Sequence, residues 1–361
     1  MAKKQTKKYA QIIIIGLLIV ALGLSIIFTA PISKAVKRLL GKADIVVLKD
    51  DIVVHYIDVG QGDAIAINFP DDKIMLIDSG PKDGQNVLLK YLKDEVFRNK
   101  NDLVIDYVVL THSDIDHSGG LSAVFGEFGV KNFYRPNIAS DSEMIGDFAI
   151  KSSTQEYDEL IKLSKAEHNV TINIINKEYV FNVGNAVIEI LPPAKVYSST
   201  NDMSCVIKLS YMGKSFLFAG DIQGDSERDM LSSYGKRLDV DVLKVAHHGS
   251  KTSTGQQFVD VATPEYAIIC VGSNEYGHPH FETISRLEDY GCEIYLTIDG
   301  SVRFVCGKEN FGVLGSNQIH SYEFIGWWLI AVCAILLLIY KLIRLIIGLI
   351  LEYKKQNKEI T

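Results

Sequence analysis

Cysteine is scarce in this chain, at five in 361 residues, and none stands in a CxxC or other paired spacing. That argues against a thiolate zinc site and against a framework of structural disulfides. Cys205, Cys270 and Cys306 fall in strand-like runs, Cys292 follows a glycine, and Cys333 lies in a long apolar stretch, so all five read as small buried hydrophobes. Two catalytic signatures are missing as well. There is no GxSxG elbow, and Gly249-Ser250-Lys251-Thr252 lacks the GxxxxGK(S/T) spacing of a phosphate loop. No internal repeat is visible. With 47% apolar and 22% charged residues the chain is neither disordered nor collagen-like, and its length suits one large domain or two small ones.

Charge is absent from two long stretches, 12–30 and 324–340, which are the source of the positive mean hydropathy of +0.13. Acid is absent from the first 42 residues, which carry eight Lys/Arg, and 321–361 carry five against three acids. The chain's −7 therefore leaves −17 on 43–320. An apolar run of about 20 residues matches the roughly 30 Å hydrocarbon layer, so 12–30 reads as an uncleaved anchor. Its rival is a signal peptide, whose apolar region usually runs about 7–15 residues. The stretch 324–340 reads as a second transmembrane helix. Trp327 and Trp328 sit near one interface, and Lys341 and Arg344 snorkel at the other; a buried C-terminal core helix is the alternative. Nine Lys/Arg lie on the terminal side and four or five near the membrane on the other. This bias places both termini in the cytoplasm and 43–320 outside. The expected organisation is a basic tail, anchor and linker over 1–42, a globular domain over 43–320, and a C-terminal span with a basic interfacial tail over 321–361.

Within the middle domain, short β-type runs alternate with helical ones. Strands are predicted over 53–59, 64–69, 74–78 and 104–111, and helices over 86–96 and 119–128. Residues 136–185 carry little pattern beyond a helix near 156–166. The second half repeats the theme, with strands over 186–191, 205–211, 215–219, 240–246, 266–271, 293–297 and 302–305. Helices are predicted there over 225–234, 254–261 and 282–290. Two sheets packed face to face with helices outside accommodate this α/β order.

The sharpest chemical feature is Thr111-His112-Ser113-Asp114-Ile115-Asp116-His117-Ser118-Gly119-Gly120. Four metal-competent side chains fall within six residues, directly after an apolar strand. Crowding imidazoles and carboxylates at a sheet edge costs desolvation and repulsion unless a cation offsets both. Three further clusters have the same placement. Asp221 follows the apolar run 216–219, His247 and His248 follow 243–246, and Asn201-Asp202 precedes the strand 205–211. His55, His168 and His320 are lone histidines and read as structural.

At these residues the chain resembles the metallo-β-lactamase fold, and in particular the metallo-hydrolase domain of the DNA-uptake channel proteins of bacterial competence. The resemblance covers about 52–306. It rests on Asp58-Val59-Gly60-Gln61-Gly62-Asp63-Ala64, Leu76-Ile77-Asp78-Ser79-Gly80, the 112–120 run, Ala219-Gly220-Asp221, His247-His248-Gly249-Ser250 and Tyr276-Gly277-His278-Pro279-His280. It implies an αββα sandwich, a bacterial cell membrane as the location, and two divalent metal ions, Zn²⁺ and/or Mn²⁺. Carried over motif by motif, His112 and Asp114 would bind one ion, Asp116, His117 and His247 the other, and Asp221 would bridge. Asp58 and Asp78 would orient the ligands from behind. Two departures stand out. Position 114 is Asp where His is commonest, and the usual His before the strand 205–211 is missing, leaving Asn201 or Asp202, with Asp202 preferred. The added oxygen ligands tilt the first position toward a harder ion, and a Mn/Mn pair, a Zn/Mn pair or a single filled position all fit.

The implied activity is metal-assisted hydrolysis of a phosphodiester or a carbonyl ester. Asp116 lies at the ions, and His280, with His248 or His278, holds a phosphate oxygen or protonates the leaving group. Lys251 is a candidate substrate contact, and a groove lined by Lys244, Lys251, Arg135 or Lys214 would suit a nuclease. Charge argues otherwise, because nucleic-acid binding draws on basic residues and 43–320 is acidic. A small anionic ester or phosphoester is therefore the alternative substrate. A non-catalytic, membrane-tethered metal-binding or assembly module is the alternative class. The resemblance does not extend to the multi-span channel of the competence proteins, so it implies no transport.

Overall fold

Alternation of apolar residues along the strands decides the layers. The computed structural model describes residues 45–98, 100–314, 338–344 and 346–348. One sheet orders its strands Phe311–Val313, Val302–Cys306, Ile52–Tyr56, Ile65–Asn68, Ile74–Ile77, Val104–Val109, Gly129–Pro136 and Thr171–Ile175. The other orders Glu293–Leu296, Tyr266–Ile269, Val242–Lys244, Lys214–Phe218, Val206–Tyr211, Ala186–Leu191 and Tyr179–Val183. Successive side chains of a strand point to opposite faces. Thus Ile65, Ile67, Met75 and Ile77 of the first sheet share one core with Ile188, Ile190, Ile207, Leu209, Phe216 and Phe218 of the second. The alternate residues Ala64, Ala66, Ile74 and Leu76 pack outward against Leu88, Leu121, Val124, Leu160 and Ile161 of the helices. Val206, Leu217 and Ala219 pack outward against Met230, Phe258, Val259, Ile284 and Leu287. Three cores separate four layers, helix, sheet, sheet, helix.

Each sheet is antiparallel at one end and parallel at the other. Ile74–Ile77, Val104–Val109, Gly129–Pro136 and Thr171–Ile175 run parallel in the first. Lys214–Phe218, Val242–Lys244, Tyr266–Ile269 and Glu293–Leu296 do so in the second. Parallel strands put their C-terminal ends at one edge, where ligands of α/β sheets bind. The candidate residues follow those ends.

Two expectations need correcting. The helix predicted over 86–96 is an α-helix only over Gln85–Tyr91 and continues as a wider turn over Leu92–Val96. The helix predicted near 156–166 forms over Gln155–Ala166, but the rest of 136–185 also holds a small strand pair, Ile138–Ala139 with Ile150–Lys151, and two strands, Thr171–Ile175 and Tyr179–Val183, at the edges of the two large sheets. Edge strands bury little, so their apolar pattern is weak. The spans predicted over 12–30 and 324–340 lie outside the described residues, except for 338–340, which are helical. Among the described residues no helix is long and apolar enough to cross a membrane.

Candidate metal centre

The loop 111–120 leaves the end of Val104–Val109 and turns into the short helix Ile115–Ser118. This turn brings His112, Asp114, Asp116 and His117 to the sheet edge. Asp78 follows Ile74–Ile77, Asp221 follows Lys214–Phe218, and His247 with His248 follows Val242–Lys244. The backbone is forced at several of these points. Asp78, His247 and His248 all have left-handed φ, at 55°, 50° and 51°, a conformation that non-glycine residues adopt at a cost and that clusters at functional sites. Room is equally tight around them. A Cβ on Gly249 would lie 2.6 Å from Cβ of Pro279, and one on Gly62 would collide with the carbonyl oxygen of Asp116.

Hydrogen bonds fix how the imidazoles are presented. Asp78 accepts from the Thr111 amide and from the Thr111 hydroxyl, each at 2.7 Å. It also lies 2.7 Å from Nδ1 of His117, and a carboxylate only accepts, so that nitrogen carries the proton. The Thr111 hydroxyl spends its one hydrogen on Asp78, so Nδ1 of His112, at 3.1 Å, donates to it. Nδ1 of His248 donates to the carbonyl oxygen of Cys270 at 2.7 Å. In their neutral forms all three rings therefore present a lone pair at Nε2.

Each of these nitrogens faces carboxylate oxygens. Nε2 of His117 is 3.3 Å from Oδ1 of Asp221, and Nε2 of His248 is 3.4 Å from Oδ2 of Asp221 and 3.2 Å from Oδ2 of Asp116. Nε2 of His112, His117 and His248 and Oδ1 of Asp221 are all buried without a hydrogen-bond partner. Asp116, His117, Asp221 and His248 each offer an atom within 4.8 Å of the others. Orphaned donor atoms of this kind, converging from three strand ends, fit a divalent cation. Without a metal the same demand for positive charge falls on the rings themselves. Burial disfavours the imidazolium of His117, yet the carboxylates of Asp221 and Asp78 hold its pKa well above the ordinary value. Burial likewise opposes, and Asp221 with Asp116 likewise raises, the pKa of His248. Burial works against ionised Asp221 too, but His248 and His117 hold it well below the carboxylate range. His112 moves the other way, lowered by burial and by His117.

The outer half of the site is looser. Nε2 of His112 is 3.8 Å from Asp114, and Nε2 of His247 is 4.0 Å from Asp221. The amide of Asn201 reaches His247 at 3.5 Å, whereas Asp202 accepts a 2.7 Å bond from the Ser226 hydroxyl. The structure thus brings Asn201, not the preferred Asp202, to the histidines. Likewise it is His248, not His247, that closes the tight group. Asp58 is half-buried and accepts from the Gly60 amide in a local turn. Asp63, five residues on, is the buried acid of that motif, lying 3.4 Å from Nδ1 of His248. His278 meets the ring of His247 edge-on and that of His280 at a tilt, with centroids 5.3 and 5.0 Å apart. Burial and then the neighbouring His247 and His248 lower its pKa to about 4. The Lys251 amide donates to Nδ1 of His280 at 3.3 Å, and the Lys251 side chain is exposed.

The basic groove does not form from the residues expected to line it. Arg135 is buried against Glu143, Tyr157 and the Ile138 carbonyl. Lys214 pairs with Asp241 at 2.5 Å, and Lys244 is fully buried. Sequence reasoning placed Lys244 in a substrate groove and Asp63 only within the motif 58–64, and assigned neither to the metal centre. The available signal was a lysine inside an otherwise apolar run, 242–246.

The family model described as "Metallo-beta-lactamase superfamily" matches residues 57–273. ComE operon protein 3 of Bacillus subtilis is 27% identical over 263 residues, covering 68% of this chain and 31% of that protein. Recombination protein 2 of Haemophilus influenzae is 28% identical over 254 residues, covering 69% of this chain and 28% of that protein. The chain thus spans less than a third of these curated relatives. Among solved structures, the metallo-beta-lactamase fold protein YhfI from Bacillus subtilis is similar with a TM-score of 0.46 at 13% identity, covering 71% of this chain and 99% of that one.

Proposed function

The chain belongs to the metallo-beta-lactamase superfamily, and from that premise we propose that it is a metal-dependent hydrolase of phosphodiesters. The observation that carries this reading is the set of partnerless Nε2 atoms of His117 and His248 facing the carboxylates of Asp116 and Asp221. These four residues would hold one divalent ion, with Asp221 placed to reach a second beside His112, Asp114, His247 and Asn201. Bound there, Zn²⁺ or Mn²⁺ would supply Lewis acidity and acidify a water toward neutrality. The oxygen-rich outer set, Asp114 and Asn201, suits the harder ion. The protein's own groups do the rest. Asp78 and the Cys270 carbonyl hold the rings of His117 and His248 in one tautomer. Asp116 is the carboxylate placed to orient the attacking water and take its proton. His278, neutral at physiological pH, donates a hydrogen bond to a phosphate oxygen, and His280 stands beside it for the leaving group.

The motif resemblance to the hydrolase domain of DNA-uptake proteins supports a phosphodiester substrate. The formal charge of −17 on 43–320 and the burial of Lys244 and Arg135 favour a second reading, a small anionic ester or phosphoester. We also propose that 12–30 and 324–340 anchor the domain to the bacterial membrane with both termini cytoplasmic; reporter fusions to the two termini that score extracytoplasmic would refute this. Hydrolysis of bis-p-nitrophenyl phosphate and of single-stranded DNA with Mn²⁺ tests the enzyme reading. Asp116→Ala and His248→Ala should each lose at least about 100-fold in rate on whichever substrate is cleaved. Equal rates for all three proteins would leave a non-catalytic metal-binding module.

A further inference from the structure

Lysine is almost never fully buried without a partner, yet Lys244 is fully buried directly behind the candidate metal ligands. Its ammonium is in contact with Asp63, donates to the Gly220 carbonyl at 3.0 Å, and lies 3.7 Å from Oδ1 of Asp221. Asp63 in turn lies beneath both rings of the tight group. Its oxygens are 3.4 Å from Nδ1 of His248 and 3.8 Å from Nδ1 of His117. Asp63, Asp78 and His117 form a second set whose ligand atoms lie within 4.8 Å of one another. This inner set is a poor seat for a divalent ion. Its imidazole atom is the Nδ1 that already carries a proton for Asp78, and its acid Asp63 already touches an ammonium.

We propose that Lys244 is the resident cation of this inner set and a positioning residue for the metal ligands in front of it. A buried carboxylate stays ionised only beside a balancing charge, and Lys244 provides that charge. Asp63 is thereby kept anionic against the Nδ1 edges of His117 and His248. Negative charge behind a ligating imidazole strengthens the Nε2 lone pair and holds the ring in the ligating tautomer. The cation that Lys244 supplies is permanent, so the inner set needs no metal and the divalent ion is directed to Asp116, His117, Asp221 and His248. This inference rests on the metal-hydrolase reading above.

A purely structural ion pair makes a different forecast, and the full chain can separate the two. Mn²⁺ affinity is measured by competition with a fluorescent chelator, and melting temperature is measured in EDTA. Lys244→Met leaves Asp63 buried and unpaired. It should lower the metal-free melting temperature by on the order of 10 °C and weaken Mn²⁺ binding about 10-fold. The double variant Asp63→Asn/Lys244→Met removes both charges. Its melting temperature should return most of the way to that of wild type, while Mn²⁺ binding stays about 10-fold weak. A double variant that binds Mn²⁺ as tightly as wild type would overturn the proposal and leave only a folding role. Should Lys244→Met fail to fold, the double variant carries the same test. Wild type that binds neither Mn²⁺ nor Zn²⁺ would instead remove the metal centre itself.

Discussion

The two halves of the site are built from the same residue types but held to very different standards. In the inner half, His117 and His248 each have Nδ1 tied to a fixed acceptor at 2.7 Å, and their free nitrogens meet Asp116 and Asp221 at 3.2–3.4 Å. In the outer half, Nδ1 of His112 rests on a hydroxyl at 3.1 Å, Nδ1 of His247 is buried without a partner, and the ligand atoms stand 3.5–4.0 Å apart. Ligand orientation is set by what stands behind the ligand. The difference therefore predicts unequal metal positions, one tight and organised before the ion arrives, the other dependent on the ion or the substrate to assemble it.

Exchange of single ligands should break the comparison most visibly. His248→Ala should weaken Mn²⁺ binding at the tight position by about 100-fold or more, and His247→Ala by about 10-fold or less. Chelator competition on both variants checks this, and equal losses would mean that the two halves are equivalent. A smaller effect sharpens the contrast between the site and the rest of the core. His55 is buried outside the ligand cluster, next to the Tyr91 hydroxyl. Burial first and Arg303 second lower its pKa from 6.5 to about 4. A depressed histidine pKa gives stability that is complete above pH 6.5 and is lost as pH falls toward 4, because the unfolded chain takes the proton first. Urea titrations of metal-free protein between pH 7 and 4 should show a loss of up to roughly 3 kcal/mol from this residue. His55→Gln should lack that component; an identical pH profile would show that His55 does not contribute.

Legibility followed the same division. The run 112–117 announced itself because four ligand-type side chains lie within one short loop, and Asp221 because it terminates an apolar strand. The two-sheet layering was legible because residues 64–77 and 205–219 alternate cleanly between two apolar faces. Where the reading and the structure part, the separation is small along the chain. His247 and His248 are adjacent, as are Asn201 and Asp202, and Asp58 and Asp63 flank one glycine turn. Adjacent side chains point in different directions, so spacing alone does not say which one faces the cluster. The buried pair Lys244 and Asp63 was hidden for another reason. A lysine in a strand ordinarily signals solvent, and only tertiary packing shows that its partner comes from a loop nearly two hundred residues earlier.

Crystals grown with Mn²⁺ and measured at the manganese absorption edge locate the cation directly. A strong anomalous peak is predicted among Asp116, His117, Asp221 and His248, with any weaker one beside His112, Asp114 and His247. A principal peak at Asp63 and Asp78, or none near His117 and His248, would contradict the account.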